Sequence, residues 1–176
     1  FPEPIITPST KAAQGEHDES VAPSELYKRG AVDPGLYKEL ARISMRLYER
    51  GVSRAADHGM IFVDTKYEFG ISNGKIMLMD EVNTPDSSRY WMKEDYEARF
   101  EKGEEPRKLD KEYVRTWLSE QGFTGKGKPP KLTDEIRVEA SARYMEVVEK
   151  FTGEPMQLDV GPVDESIYSI LNPFAY

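Results

Sequence analysis

Asp64, Lys66 and Glu68 fall at i, i+2 and i+4. On one extended strand their side chains share a face. Two carboxylates flanking an ammonium are costly to bury without a use for them. A further acid, Asp80, lies where the chain returns after Ser72-Asn73-Gly74. With a three-residue loop, Ile71 pairs with Lys75, Lys66 pairs with Asp80, and Gly74 takes the left-handed position of a bulged turn. Asp80 then shares a face with Glu68 and lies diagonal to it. With a two-residue loop, Asp80 falls on the opposite face. The turn chemistry decides between the two, and Asn-Gly permits the first. Two carboxylates this close repel unless a cation lies between them. Oxygen-only ligands, incomplete coordination and neighbouring cationic side chains suit Mg2+, with phosphate as the remaining ligand. The plainer alternative is a solvated hairpin face carrying one salt bridge.

The segment that follows, Asp80 to Arg89, adds Asp86, Ser87, Ser88 and Arg89 to one loop. An Arg can grip a phosphate or carboxylate with two parallel hydrogen bonds, and Ser hydroxyls can add more. A simple turn centred on Pro85-Asp86 accounts for Pro and Asp but not for the whole string.

The elements that must position these groups are legible in outline. Residues 1–24 hold four Pro among small polar residues and read as a loop. Asp33-Pro34 is a helix start, with Asp as N-cap and Pro at the first position. Leu36, Leu40, Ile43 and Leu47 then give a helix over about 34–50, which Gly51 interrupts or ends, with room for another turn at Ala55-Ala56. From residue 60 the period becomes two: Ile61, Val63, Thr65, Tyr67 and Phe69 form an apolar face against Asp64, Lys66 and Glu68. Lys75 to Val82 reads as the returning strand. Asn83 to Arg89 is a loop, Lys93 to Lys108 helix and then solvated loop, and Leu109 to Gln121 a helix. Thr133 caps a further helix whose buried stripe is Ile136, Ala140, Tyr144, Val147, Val148 and Phe151, ended by Gly153. The fold class is α+β, an antiparallel hairpin or sheet packed with helices. Residues 1–153 form one catalytic region, and 154–176 form a tail whose apolar patch, Ile167 to Tyr176, packs back on it.

Composition narrows the function classes. The chain has 176 residues, 38% hydrophobic and 32% charged, and a net charge of -8. That balance fits a globular protein and disfavours a general nucleic-acid binder. With no Cys and only two His, neither disulfides nor a structural zinc site is expected. No apolar run approaches the roughly 20 residues that span a bilayer. The opening Phe1-Pro2-Glu3-Pro4 has no basic n-region or apolar core, so a cytoplasmic location is the default. The lack of an opening Met reads as a piece of something longer.

The segments Phe62-Val63-Asp64-Thr65-Lys66-Tyr67-Glu68-Phe69-Gly70 and Met79-Asp80-Glu81-Val82-Asn83-Thr84-Pro85-Asp86-Ser87-Ser88-Arg89 closely resemble the two signature segments of SAICAR synthetases, the phosphoribosylaminoimidazole-succinocarboxamide synthases. The resemblance extends to Glu3 to Lys11, to Gly15-Glu16-His17-Asp18 and to Leu109 to Arg115, and so runs to about residue 153. It implies an ATP-grasp-like fold and a ligase of purine biosynthesis. That enzyme joins L-aspartate to carboxyaminoimidazole ribonucleotide while ATP becomes ADP and phosphate. It also implies that Glu68 and Asp80 hold Mg2+ against the ATP phosphates and that Lys11 contacts ATP. Lys66, Asp86 and Arg89 would hold the ribonucleotide, with Arg115 at its 5′-phosphate. Asp64 would orient Lys66 or the substrate. His17 and Asp18 would lie near substrate, and Ser87 and Ser88 are candidates for the aspartate. Members of the family begin with an N-terminal lobe that includes a glycine-rich strand pair covering ATP, and nothing here matches it. A full ATP site is therefore expected to need that lobe. The alternative is a catalytically incomplete nucleotide-binding fragment or assembly module.

Other eye-catching residues have plainer explanations. His58 precedes a glycine at an element end and reads as structural. Met77 and Met79 suit hairpin packing, and Trp91 and Trp117 suit core or rim anchoring. Lys126, Lys128 and Lys131 sit among Gly and Pro and read as a loop.

Overall fold

The computed structural model describes residues 2–10, 18–156, 162, 165, 167, 168 and 172. Among them the chain runs β1 (Ser9–Thr10), β2 (Glu19–Ser20), α1 (Pro23–Lys28), α2 (Pro34–Asp57), β3 (Met60–Thr65), β4 (Glu68–Ser72), β5 (Lys75–Met79), β6 (Ser88–Met92), α3 (Tyr96–Glu101), α4 (Glu112–Glu120) and α5 (Asp134–Thr152). The strands pair antiparallel as β1 with β2, β3 with β6 and β4 with β5. The class is α+β, as expected.

The α2 start is built as the sequence indicates: Asp33 accepts from the Gly35 and Leu36 amides at 2.8 and 3.0 Å, and Pro34 opens the helix. The expected interruption at Gly51 does not occur, because the helix continues to Asp57. Gly51 is there for close approach. A Cβ at that position would lie 2.8 Å from the Phe62 ring and 2.9 Å from Asn83 Nδ2.

The expected single strand from residue 60 to residue 70 is in fact two strands in different sheets. β3 pairs with β6, β4 pairs with β5, and Lys66 and Tyr67 lie between them. The core face of β3 is carried by Met60 and Phe62, opposite Met92 and Tyr90, rather than by Ile61 and Val63. The run Met60-Ile61-Phe62-Val63 is apolar at every position, so residue type alone could not fix the parity. A register shift between Phe62 and Asp64 then alters it again.

Ala55 of α2, Met60 and Phe62 of β3, Tyr90 and Met92 of β6, Leu109 ahead of α4 and Val147 of α5 form one core, with Tyr48 and Phe151 against it. The rings of Tyr48, Phe62, Tyr90 and Phe151 follow one another at 5.3, 5.1 and 6.0 Å between centroids, the first two contacts tilted and the last edge-to-face. Spacings of this size suit offset and edge-to-face aromatic contact.

Of the expected α5 stripe only Val147 is buried; Ile136, Ala140, Tyr144 and Phe151 are half-buried, and Val148 is 38% exposed. Thr133 caps its start and Gly153, at φ +79°, ends it. β6 was expected to be loop in its first two residues. Its pairing with β3 depends on a long-range match that no local pattern shows. The tail lies largely outside the described residues; Ile167 and Tyr168 within it are exposed. No helix among the described residues is long and apolar enough to cross a membrane.

Candidate functional site

The β4–β5 hairpin supplies the acidic part of the site. Its register pairs Glu68 with Met79 and Ser72 with Lys75, so the loop has two residues, Asn73 and Gly74. Both have positive φ, +50° and +72°, the geometry that Asn-Gly favours in a tight hairpin. The expected three-residue loop, with Lys66 opposite Asp80, is therefore incorrect. Strand pairing does not carry Asp80 onto the opposite face of the ribbon, because β5 ends at Met79. At φ +63°, Asp80 turns the chain out of the strand immediately after the residue paired with Glu68. Strand alternation no longer assigns it a face. Its side chain is exposed.

Lys66 joins the hairpin to Asp18, just ahead of β2. Its Nζ lies 2.7 Å from Glu68 Oε1 and 3.2 Å from Asp18 Oδ2. Glu68 is the more enclosed partner, with its side chain 12% exposed. The Glu68 contact, followed by that of Asp18, raises the lysine pKa against an opposing effect of burial. Asp64 does not orient Lys66: it pairs with Arg89 across the β3–β6 ribbon, Oδ2 to Nη2 at 3.2 Å.

The loop from Asp80 to Ser88 is tied down at several points. Asn83 sits at φ +59°. Its carbonyl accepts from the Tyr90 hydroxyl, and its Oδ1 accepts from the Tyr67 hydroxyl at 2.7 Å. Burial pushes the Tyr67 phenol up to about 12, the Asn83 bond acting the other way. Thr84 donates to Glu81, and its hydroxyl receives the Ser87 amide at 3.3 Å. The Lys66 amide donates to the Ser87 carbonyl at 3.0 Å, which fixes the loop beside the hairpin. Ser88 is 3% exposed, and its hydroxyl donates to Thr65 at 2.8 Å. Ser87, half-buried, lies 3.2 Å from Ser88 between hydroxyl oxygens.

On the far side, Lys111 approaches Asp86 at 3.7 Å, and Arg115 pairs with Glu112 one turn back on α4. Two groups that sequence reasoning left out also belong here. Asp110 is 1% exposed, with one oxygen accepting from the Tyr90 amide at 3.0 Å and the other from the Glu112 amide at 2.8 Å. Burial raises its pKa, although both amides and the Arg89 charge act to lower it. An Asp directly ahead of a helical run was the available signal. Tyr144, which the periodicity placed only in the core stripe, is raised by burial and then by Asp86, Asp110 and Glu81. It thus faces this loop from α5. Lys11 and His17 lie outside the described residues.

The donor set suits a hard divalent cation. Glu68 and Asp80 offer oxygen alone, and no cluster of three His, Cys, Asp or Glu side chains able to hold a metal occurs among the described residues. A pair of carboxylates with substrate phosphates and water completing the shell is how Mg2+ is commonly bound. The surface has a cleft of about 470 Å3 beside Arg50 and Asn83 and another of about 460 Å3 beside Arg107 and Trp117. Neither takes in Asp64, Lys66, Glu68, Asp80 or Arg89.

The family model for SAICAR synthetase matches residues 1–151. The phosphoribosylaminoimidazole-succinocarboxamide synthase of Bacteroides thetaiotaomicron is 51% identical over 156 residues, which is 88% of this chain and 50% of that protein. The synthase of Flavobacterium psychrophilum is 43% identical over 171 residues, 95% of this chain and 54% of that one. Among solved structures, the Saccharomyces cerevisiae SAICAR synthase complexed with SAICAR superposes with a TM-score of 0.71 at 36% identity, covering 90% of this chain and 49% of that one. SAICAR synthetase from Pyrococcus horikoshii OT3 gives 0.64 at 26% identity, covering 90% and 56%. The chain thus spans about half the length of the curated relatives it matches.

Proposed function

The chain belongs to the SAICAR synthetase family, and from that premise we propose that it is the part of an ATP-dependent ligase that grips the divalent ion and the imidazole ribonucleotide. The proposed reaction joins L-aspartate to carboxyaminoimidazole ribonucleotide. The observation that carries this reading is the meeting of Lys66 with Glu68 at 2.7 Å, one residue across the hairpin from Asp80, on a backbone that also fixes the Asp86 to Arg89 loop.

The chemistry follows from the substrate. A carboxylate resists amine attack because its oxygen leaves poorly. In the first step an oxygen of the ribonucleotide carboxylate forms a bond to the γ-phosphorus of ATP, and the bond from that phosphorus to the bridging oxygen breaks, releasing ADP. In the second, the amine of L-aspartate attacks the acyl carbon. The carbon–oxygen bond to the phosphoryl group breaks, phosphate leaves, and the new amide nitrogen gives up its proton. Negative charge spreads over the transferring group, so positioning and cationic stabilisation carry most of the catalysis. Glu68 and Asp80 would hold Mg2+, which when bound neutralises phosphate charge. Lys66 supplies a cation beside the reacting carboxylate, and Arg89, Lys111 and Arg115 grip the phosphorylated sugar. In this reading Lys11 would contact ATP, His17 and Asp18 would contact substrate, and Ser87 is the more accessible of the two serines for the aspartate.

Calorimetry tests it. Binding of carboxyaminoimidazole ribonucleotide in the absence of ATP is expected, and absence of that binding sinks the reading. Turnover is expected to require the remaining half of the family's length, because the relatives are about twice as long as this chain's match to them. ADP release by the chain alone at a rate typical of ligases would contradict that part. The length relation also favours a second reading, a fragment that binds nucleotide or assembles with a partner without completing catalysis. Binding of ATP without any ribonucleotide binding would select it.

A further inference from the structure

We infer that Asp110 is a positioning residue that sets the spacing between Arg89 and the α4 cations, and so determines how well the site grips a phosphate; this deepens the ribonucleotide reading above and rests on it. The chain around Asp110 runs antiparallel to β6. Met92 N–H donates to the Arg107 carbonyl at 3.1 Å, Leu109 N–H donates to the Tyr90 carbonyl at 2.9 Å, and Trp91 bridges Lys108. At the next step the chain turns away into α4, and the Asp110 carboxylate takes the Tyr90 amide as a backbone carbonyl would. Its second oxygen holds the Glu112 amide in the first turn of α4. One side chain therefore closes a strand pairing and anchors a helix start.

The positions of the basic residues give this clamp its consequence. Arg89 immediately precedes Tyr90. Lys111 immediately follows Asp110, and its ammonium is 3.7 Å from Asp86. Arg115 stands one helical turn beyond Glu112. Arg89 and Lys111 thus hang from the two peptide groups that Asp110 holds, and Arg115 follows on the helix that the second of them begins. At 1% exposure Asp110 cannot meet substrate in this state. A carboxylate is suited to the task because each of its oxygens accepts independently. An amide has one accepting oxygen, and its NH2 group would confront a second N–H. Asp110→Asn therefore releases one of the two tethers with almost no change in volume.

The test uses the unaltered chain, Asp110→Asn, Arg115→Ala and the double variant, titrated by calorimetry with carboxyaminoimidazole ribonucleotide and with its dephosphorylated riboside. Asp110→Asn is expected to weaken the ribonucleotide roughly tenfold, equivalent to about 1.4 kcal/mol, and to leave the riboside unchanged. The double variant is expected to bind little more weakly than Arg115→Ala alone, since residues acting as a unit are not additive. Equal loss for both ligands, or full additivity, overturns the positioning role while the functional reading stands. If the unaltered chain binds neither ligand, both fall together. If circular dichroism shows Asp110→Asn unfolded, Asp110→Ser, whose single oxygen cannot stand in both places that the two carboxylate oxygens occupy, replaces it with the same expected and overturning results.

Discussion

The Lys66 ammonium lies 2.7 Å from a Glu68 carboxylate oxygen. The carboxylate proposed to hold a divalent ion thus already has a cation beside it, and an incoming ion must compete for it. Lys66→Met is therefore expected to raise the affinity of the chain for Mg2+. The gain should be at most about fivefold, the range allowed by an exposed pair of about 0–1 kcal/mol. Titration of Mg2+ into both proteins by calorimetry measures it. Weaker affinity in the variant would remove Glu68 from the metal site.

The same contact makes a prediction about pH. The folded state raises the Lys66 pKa above its ordinary 10.5. A raised lysine stabilises the fold fully below the unfolded value and loses that contribution as pH rises through the folded value. The difference in urea midpoint between the chain and Lys66→Met should be flat from about pH 6 to 9 and shrink only above about pH 10, near the ordinary lysine range. Lys66 is half exposed, so solvent screening keeps the effect small. A difference that already changes near pH 7 would show that another group is titrating.

What could be read beforehand divides along physical lines. The caps of α2 and α5 depend on residues adjacent in sequence, Asp33-Pro34 and Thr133, and these were legible. So was the hairpin, because Asn73-Gly74 marks a turn whatever surrounds it. The loop length was misread because Ser72 can serve equally as turn residue or last paired residue, and only cross-strand packing separates the two. The break at Lys66-Tyr67 was not legible, since the alternation continues through it. What sets the bounds of β3 is its pairing with β6, which lies over 20 residues away in sequence. The Asp64–Arg89 pair was not legible for the same reason: Arg89 becomes a neighbour of Asp64 only through that long-range pairing.

Gly51 was read as an interruption of α2, and its substitution tests the reading offered in its place. Ala in a helix interior is favoured over Gly by about 1 kcal/mol. Here the added Cβ would fall 2.8 Å from the Phe62 ring and 2.9 Å from the Asn83 amide nitrogen. Phe62 is 4% exposed and packed between Tyr48 and Tyr90, so it has little freedom to move aside. Overpacking costs about 1–3 kcal/mol, which outweighs the helical gain. Gly51→Ala should lower stability by about 1 kcal/mol in urea denaturation. A more stable variant would mean that α2 and β3 can separate without penalty.

Tyr90 makes the final case, because it connects the core to the loop that carries Asp86 and Arg89. Its ring is fully buried between Phe62 and Phe151, and its hydroxyl donates to the Asn83 carbonyl. Burial pushes the phenol well above its ordinary range, so the hydroxyl remains a donor at any pH the protein tolerates. Tyr90→Phe preserves the packing and leaves the Asn83 carbonyl without that partner, at a cost of about 1–3 kcal/mol. The loss falls on a residue already held at positive φ, so the loop should loosen ahead of the rest of the fold. Hydrogen exchange can separate these effects. The Lys66 amide, which donates to Ser87 in that loop, should exchange faster in the variant, while the Leu109 amide against β6 keeps its protection. Equal acceleration at both positions would mean that the hydroxyl supports the whole core and has no particular hold on the loop.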